Sequence, residues 1–269
     1  MAWRFSKPKP PKPQDAAAAS HGSAALLGSL PESSLTEVRR DFYLEHPRVA
    51  SLTAEEADAI RTAMDVCVHF EGSAQASEPC PNPVDSFLEG SFPQYVLDAL
   101  DAAGITEPTP IQRQSFPIAM RGVDLVGLAA TGSGKTLAYL LPALVHVNAQ
   151  PPSYDGDGPL ALVLAPTREL AVQIHEECVR FGHPCGVRTA CIYGGVPKGP
   201  QVMALKKAPE VVVATPGRLR DLLHARKTEM SRCTYLVIDE ADRMLDLGFE
   251  PQVCVHLART PEAAVVTPT

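Results

Sequence analysis

The chain has 269 residues, 45% of them hydrophobic, and a formal net charge of −7. That is enough apolar content for one sizeable core plus a tail, no stretch reaches the ~18–20 apolar residues of a membrane span, and the acidic balance excludes capture of a polyanion by bulk charge alone. The seven cysteines form no CxxC pair, which points to reduced thiols in an intracellular compartment rather than a disulfide framework.

Residues 1–40 open with Lys7-Pro8-Lys9-Pro10-Pro11-Lys12-Pro13 and continue through an alanine run and small polar residues. Such a composition cannot bury enough apolar surface to order itself, so it reads as a low-complexity disordered tail. Arg4, Lys7, Lys9 and Lys12 make it basic; a transit peptide fits its Ala and Ser but not its proline density or Asp15. Residues 41–82 read as an extension with a helix-like stretch over 52–68, followed by a linker over 71–83. Apolar runs at 125–129, 161–165, 189–193, 211–214 and 235–238 then alternate with helical segments such as 136–147 and 219–225. Continuous apolar strands separated by crossovers predict an α/β domain over 83–257, its parallel sheet covered by helices on both faces. Within it, His175, Cys178, His183 and Cys185 invite a zinc reading, but an amphipathic helix over 169–181 with Leu170, Ile174 and Cys178 on one face accounts for the segment better.

Two motifs carry chemistry. Ala129-Ala130-Thr131-Gly132-Ser133-Gly134-Lys135-Thr136 follows the first strand. Its glycines let backbone N–H groups approach phosphate oxygens more closely than a Cβ allows, and the loop opens a helix whose positive end faces the anion. Lys135 adds a point charge for β/γ-phosphates, and the Thr136 hydroxyl suits a Mg²⁺ ligand. About a hundred residues later, Asp239-Glu240-Ala241-Asp242 ends the apolar run 235–238. Asp239 there suits the same metal, through water, while Glu240 suits orientation or deprotonation of an attacking water. Either string alone is common; both together, in this order and each at a strand end, imply nucleotide hydrolysis.

Further segments narrow this. Gly104-Ile105-Thr106-Glu107-Pro108-Thr109-Pro110-Ile111-Gln112 ends in an amide with the donor and acceptor that the N6 and N7 edge of adenine needs. Phe87 precedes it, and Ala165-Pro166-Thr167-Arg168-Glu169-Leu170, Gly194-Gly195 and Ala214-Thr215-Pro216-Gly217-Arg218 follow. With these segments the chain resembles the DEAD-box RNA helicases, and the flanks 41–50, 91–97 and 247–252 look like the p68/Dbp2 branch of that family. The resemblance implies a RecA-like P-loop NTPase domain with a Q motif over 85–114 and with ATP and Mg²⁺ as cofactors. By the same resemblance, Phe87 stacks on the base and Gln112 reads it. Ala130, Thr131, Gly132, Ser133, Gly134, Lys135 and Thr136 hold the phosphates, Thr136 and Asp239 the metal. Lys135, Asp239 and Glu240 are the catalytic residues, and Asp242 couples hydrolysis to motion. Pro166, Thr167, Arg168, Gly194, Gly195, Thr215, Gly217 and Arg218 form an RNA track. Glycine N–H groups, a hydroxyl and guanidinium forks grip phosphates without reading base edges, so the track implies RNA binding without strong sequence preference, alongside ribonucleoprotein partners and no membrane. The branch resemblance places the protein in the nucleus ahead of the cytoplasm.

Ile105 and Ala130 depart from the family, which often has an aromatic and a Gln there, and imply slightly weaker adenine contacts and an altered loop. After Gln252 the family continues to a Ser-Ala-Thr motif and a second RecA-like domain; here 258–269 reads as an irregular end with both missing. In this family the second domain supplies arginines that stabilise the transferring phosphoryl group, fingers worth ~10³–10⁵ in rate in related NTPases. The expectation is therefore an ATP-dependent RNA helicase whose residues 1–269 alone bind ATP and RNA weakly, hydrolyse slowly and do not unwind. The alternatives are a non-catalytic ATP- and RNA-binding module, or an unrelated P-loop kinase or transporter ATPase lacking the adenine-reading Gln112.

Overall fold

The computed structural model describes residues 38–69, 80–154 and 157–249 and the backbone of 264–268. The tail reading up to residue 37, most of the linker and positions 250–252 of the branch resemblance lie outside these residues.

An upstream segment carries α1 (Pro47–Ala50) and α2 (Ala54–Ala63), then a 3-10 turn (Phe87–Gly90), α3 (Gln94–Ala102) and α4 (Pro110–Met120). Strand and helix then alternate: β1 (Leu125–Gly127), α5 (Lys135–Ala149), β2 (Ala161–Leu164), α6 (Arg168–Gly182), β3 (Thr189–Ile192), α7 (Lys198–Leu205), β4 (Val211–Ala214), α8 (Pro216–His224), β5 (Tyr235–Ile238), α9 (Ala241–Asp246) and β6 (Ala264–Pro268). The six strands form one sheet in the order β1-β6-β5-β2-β4-β3, and every pairing is parallel.

The apolar runs become strands because each residue of β2, β4 and β5 is buried, which requires both faces to be covered. Alternation sends neighbours to opposite sides. Ala161, Val163, Val211, Val213, Tyr235 and Val237 pack into a core shared with α3, α4, α5 and α6, whereas Leu162, Leu164, Val212, Leu236 and Ile238 pack with α8 and Met244 of α9. Helix α5 is buried from Leu137 to Val147, so it lacks the polar stripe of a surface helix. Each fully buried aliphatic side chain contributes about 1.5–3 kcal/mol, most of it offset by chain entropy. Among the described residues no helix is long and apolar enough to cross a membrane.

Two expectations change. Residues 258–269, read as irregular, contain β6, which pairs Leu125 with Val266 on one side and Val237 with Val266 on the other. A short β-branched run closed by a proline gave too little period to stand out, but a site between two parallel strands supplies both rows of backbone partners. Residues 41–82, read as an extension and linker, fall within the same compact unit as the α/β domain. Tyr43 and Val49 belong to the larger core, the Phe42 N–H donates to the Met120 carbonyl at 2.7 Å, and Asn82 Nδ2 donates to the Val49 carbonyl at 3.0 Å. The helical reading over 52–68 shortens to α2, started by Thr53 and Glu56 in a reciprocal capping box. Segment 169–181 becomes α6, with Ile174, Cys178 and Phe181 buried and His175 Nε2 3.1 Å from Thr189 Oγ1.

Candidate active site

Parallel pairing places the carboxyl ends of all strands on one edge, where ligands bind in such sheets. Strand order divides that edge. The loops after β1 and β5 lie on one side of the sheet, while those after β2, β4 and β3 lie side by side on the other.

On the first side, the loop 129–134 turns on Gly132 and Gly134, with φ of +79° and +89°. Gly134 also caps α5 and is crowded: a Cβ there would lie 2.5 Å from Gln112 Nε2 and 2.9 Å from Thr109 Oγ1. Gln112 is 2% exposed, donates through Nε2 to the Gly134 carbonyl at 2.9 Å and accepts the Thr109 N–H at 3.0 Å. The glutamine that sequence assigns to adenine thus also buttresses the phosphate loop. Lys135 Nζ donates to the Ala129 carbonyl at 2.8 Å, curling back over the loop. Thr131 and Gly132 are exposed, Ser133 and Thr136 partly so.

Phe87 is 5% exposed, its ring tilted against Phe116 with centroids 6.0 Å apart. It lines a cleft of about 230 Å³ with Leu97, Leu100, Asp101, Ile105 and Thr106.

Across β6 stands Asp239, 5% exposed at the end of β5. Its Oδ2 accepts the Tyr139 hydroxyl at 3.0 Å and its Oδ1 the Glu240 N–H at 2.9 Å. Burial, the largest influence, raises its pKa above the usual carboxylate value, while Lys135 and the two hydrogen bonds pull it down. Burial, with Asp239 alongside, pushes the Tyr139 phenol well up, so it stays a donor. Glu240 holds φ +50° and ψ +51°, a left-handed conformation that costs a non-glycine residue about 1–3 kcal/mol and turns the chain into α9. Its carboxylate accepts Arg243 Nη1 at 3.1 Å, and Asp242 is exposed in the first turn of α9.

On the second side, Thr167 caps α6, its Oγ1 accepting the Leu170 N–H at 3.3 Å, and Pro166 is buried behind it. Arg168 is exposed and lies over the Tyr193 ring, 4.8 Å from its centroid, beside exposed Gly194 and Gly195. The Thr215 N–H donates to the Ile192 carbonyl at 2.8 Å, joining the β4 loop to the β3 loop, and the Gly217 surface is open. Arg218 differs from its expected part. It is 9% exposed, with Nη1 on Gln201 Oε1 at 3.0 Å and Nη2 on the Val196 carbonyl at 2.9 Å. Its fork holds the loop after Gly195 to α8, with Nη1 and Nη2 both engaged inside the protein.

The DEAD/DEAH box helicase family matches residues 109–268, more than half of the chain. The chain belongs to that family. Among curated relatives, DEAD-box ATP-dependent RNA helicase 20 of Arabidopsis thaliana is 56% identical over 219 residues, 81% of this chain and 42% of that one. ATP-dependent RNA helicase dbp2 of Schizosaccharomyces pombe is 52% identical over 219 residues, 81% of this chain and 38% of its own. Among solved structures, the ADP-bound RNA helicase Prp28 of Chaetomium thermophilum superposes with a TM-score of 0.71 at 38% identity, over 84% of this chain and 53% of that one. The chain therefore spans about two fifths to one half of these relatives' length. They bear out the RecA-like fold and the likeness to Dbp2-type DEAD-box proteins.

Sequence reasoning missed two residues of this DEAD-box domain. Tyr139, which holds Asp239, lies one helical turn after Lys135 and is the only polar-tipped side chain in the run 137–145, a signal that was available. Gln201, which holds Arg218, carries no local signal, because its partner arrives from 17 residues away.

Proposed function

We propose that this domain binds ATP with Mg²⁺ and hydrolyses it as one half of an ATP-dependent RNA helicase, gripping RNA along the loops after β2, β3 and β4. The observation that carries the reading is the joint placement of Gln112 against Gly134 and of buried Asp239 beside Tyr139, on either side of one strand. Gly132 and Gly134 free backbone N–H groups for phosphate oxygens, and Lys135, released from the Ala129 carbonyl, adds charge toward the β/γ-phosphates. The donor set fits a hard cation: a threonine hydroxyl and a buried carboxylate are oxygen ligands, two from protein being usual where phosphates and waters complete the shell. When bound, Mg²⁺ neutralises phosphate charge. Glu240 orients the attacking water and takes its proton, its carboxylate held in the meantime by Arg243. Phe87 and Gln112 serve the base. Arg168, Thr167, Thr215 and the amides of Gly194, Gly195 and Gly217 serve the RNA backbone, and Arg218 keeps that track in shape.

A second reading, in which residues 1–269 bind ATP and RNA without turnover, is favoured by Arg243, whose Nη1 occupies the Glu240 carboxylate at 3.1 Å. Steady-state ATP turnover with and without single-stranded RNA, beside Glu240→Gln as the blank, separates the two. RNA-stimulated turnover above the blank supports catalysis by this stretch; ATP binding that Lys135→Ala abolishes, with turnover at the blank, supports binding alone. ATP binding that Lys135→Ala leaves intact defeats both.

A further inference from the structure

One charged cluster has no part in the reading so far. The Glu89 side chain is 9% exposed, yet it is a carboxylate. Arg48 of α1 grips it with both prongs, Nε on Oε1 and Nη2 on Oε2, and the same Nη2 reaches Asp85 Oδ2. The other oxygen of Asp85 lies 3.3 Å from Arg113 Nη2, and Arg113 Nη2 also donates to the Asp85 carbonyl at 3.1 Å. The backbone joins in: the Asp85 N–H donates to Glu89 Oε2 at 2.7 Å and the Val84 N–H to the Arg113 carbonyl at 3.0 Å. Three pieces are stitched by this cluster. They are α1 of the upstream segment, the turn that bears Phe87 between Asp85 and Glu89, and α4, where Arg113 follows Gln112.

An exposed arginine pair usually contributes little, and the Arg48–Asp85 contact is of that kind, both side chains being more than a third exposed. Glu89 is different. Arg48 holds its carboxyl down at about 2, and taking the arginine away strands a charge in a poorly solvated place. That carboxylate must then protonate or turn to water. Because it belongs to the same single turn as Phe87, turning it out moves the ring off Phe116.

We infer that Arg48 is a positioning residue for adenine selectivity: through Glu89 and Asp85 it locks the turn carrying Phe87, while Gln112 keeps its own tie to the phosphate loop through the Gly134 carbonyl. This rests on the adenine reading of Phe87 and Gln112 proposed above. Arg48 lies on the upstream segment, far in sequence from the ring it orients.

The test is calorimetric titration of the whole 269-residue chain with ADP, GDP and inorganic tripolyphosphate, each with Mg²⁺. Arg48→Gln is expected to weaken ADP about tenfold, bringing it toward GDP, with tripolyphosphate affinity unchanged. Arg48→Lys, a point charge without the fork, is expected to recover part of the preference. Asp85→Asn should move selectivity the same way by less, and it decides the matter if thermal melting shows Arg48→Gln unfolded. Equal losses for ADP and tripolyphosphate would make the cluster a plain structural clamp and overturn the inference. So would an ADP preference that survives in both variants. A wild-type chain that binds ADP and GDP alike overturns the adenine reading itself, and the inference with it.

Discussion

At Gly134 two demands meet in one atom's absence: a left-handed φ of +89° and no room for a Cβ against Gln112 and Thr109. Gly134→Ala therefore strains the backbone and pushes Gln112 off the Gly134 carbonyl. The expected outcome is a loss of about 1–3 kcal/mol in urea unfolding, together with loss of ADP binding by calorimetry. His146 makes a different demand. It is 4% exposed, accepts or donates at 2.7 Å to Thr234 Oγ1, and stacks near Phe42 and Tyr235. Burial first, then Arg40, lowers its pKa from 6.5 to about 4. In the unfolded chain it titrates near 6.5, so above that pH it contributes no pH dependence. Between 6.5 and 4 the unfolded state alone takes the proton, and stability falls by up to about 3 kcal/mol. Urea midpoints measured from pH 7.5 to 4.5 should show that slope, and His146→Asn should flatten it. Below pH 4.5 Glu89 continues the trend, since its lowered carboxyl pKa stabilises the fold only while the group is ionised.

At the scale of elements, the loops after β2, β3 and β4 look equivalent in sequence and are not so in space. Arg168→Ala removes an exposed fork over Tyr193, so it should weaken single-stranded RNA binding in fluorescence anisotropy without moving the melting temperature. Arg218→Ala takes the donor from Gln201 Oε1 and from the Val196 carbonyl, so the melting temperature should fall first, with RNA binding following. Equal effects of the two on melting would overturn this division between an exposed and a buried arginine. This difference marks the limit of what sequence could tell. The strands β2, β4 and β5 were legible because four consecutive apolar residues are hard to place anywhere but in a two-sided sheet. The phosphate loop and the acid pair were legible because chemistry fixes their residue types. Helix α7, the partner of Arg218 and the burial of Phe87 were not, because each depends on what lies opposite in three dimensions. Helix α4 escaped for another reason: its start, Thr109-Pro110, coincides with the motif read for adenine, and Gln112, whose Oε1 accepts the Thr109 N–H at the start of the helix, was read only as chemistry.

Taken whole, the chain carries a net charge of −7, and the RNA reading proposed above asks it to hold a polyanion. The proposed track offers mainly amides, hydroxyls and the exposed fork of Arg168. With one exposed guanidinium, about one phosphate is neutralised, which gives a log–log salt slope of about −0.7 for single strands. Titrations of oligo-U and oligo-A between low and moderate salt should give that shallow slope and matching affinities. A slope beyond about −4 would instead require a broad basic surface.

Strand β6 has a mechanical consequence. It separates β1 from β5 and runs parallel to both, so its Pro268 end, in register with Gly127, points to the edge where the phosphate loop and Asp239 stand apart. It is a partition between the grip and the acid, hinged at neither. Two lateral steps of about 4.8 Å therefore set the gap between them, so backbone pairing, with no side chain of the site, holds the two apart.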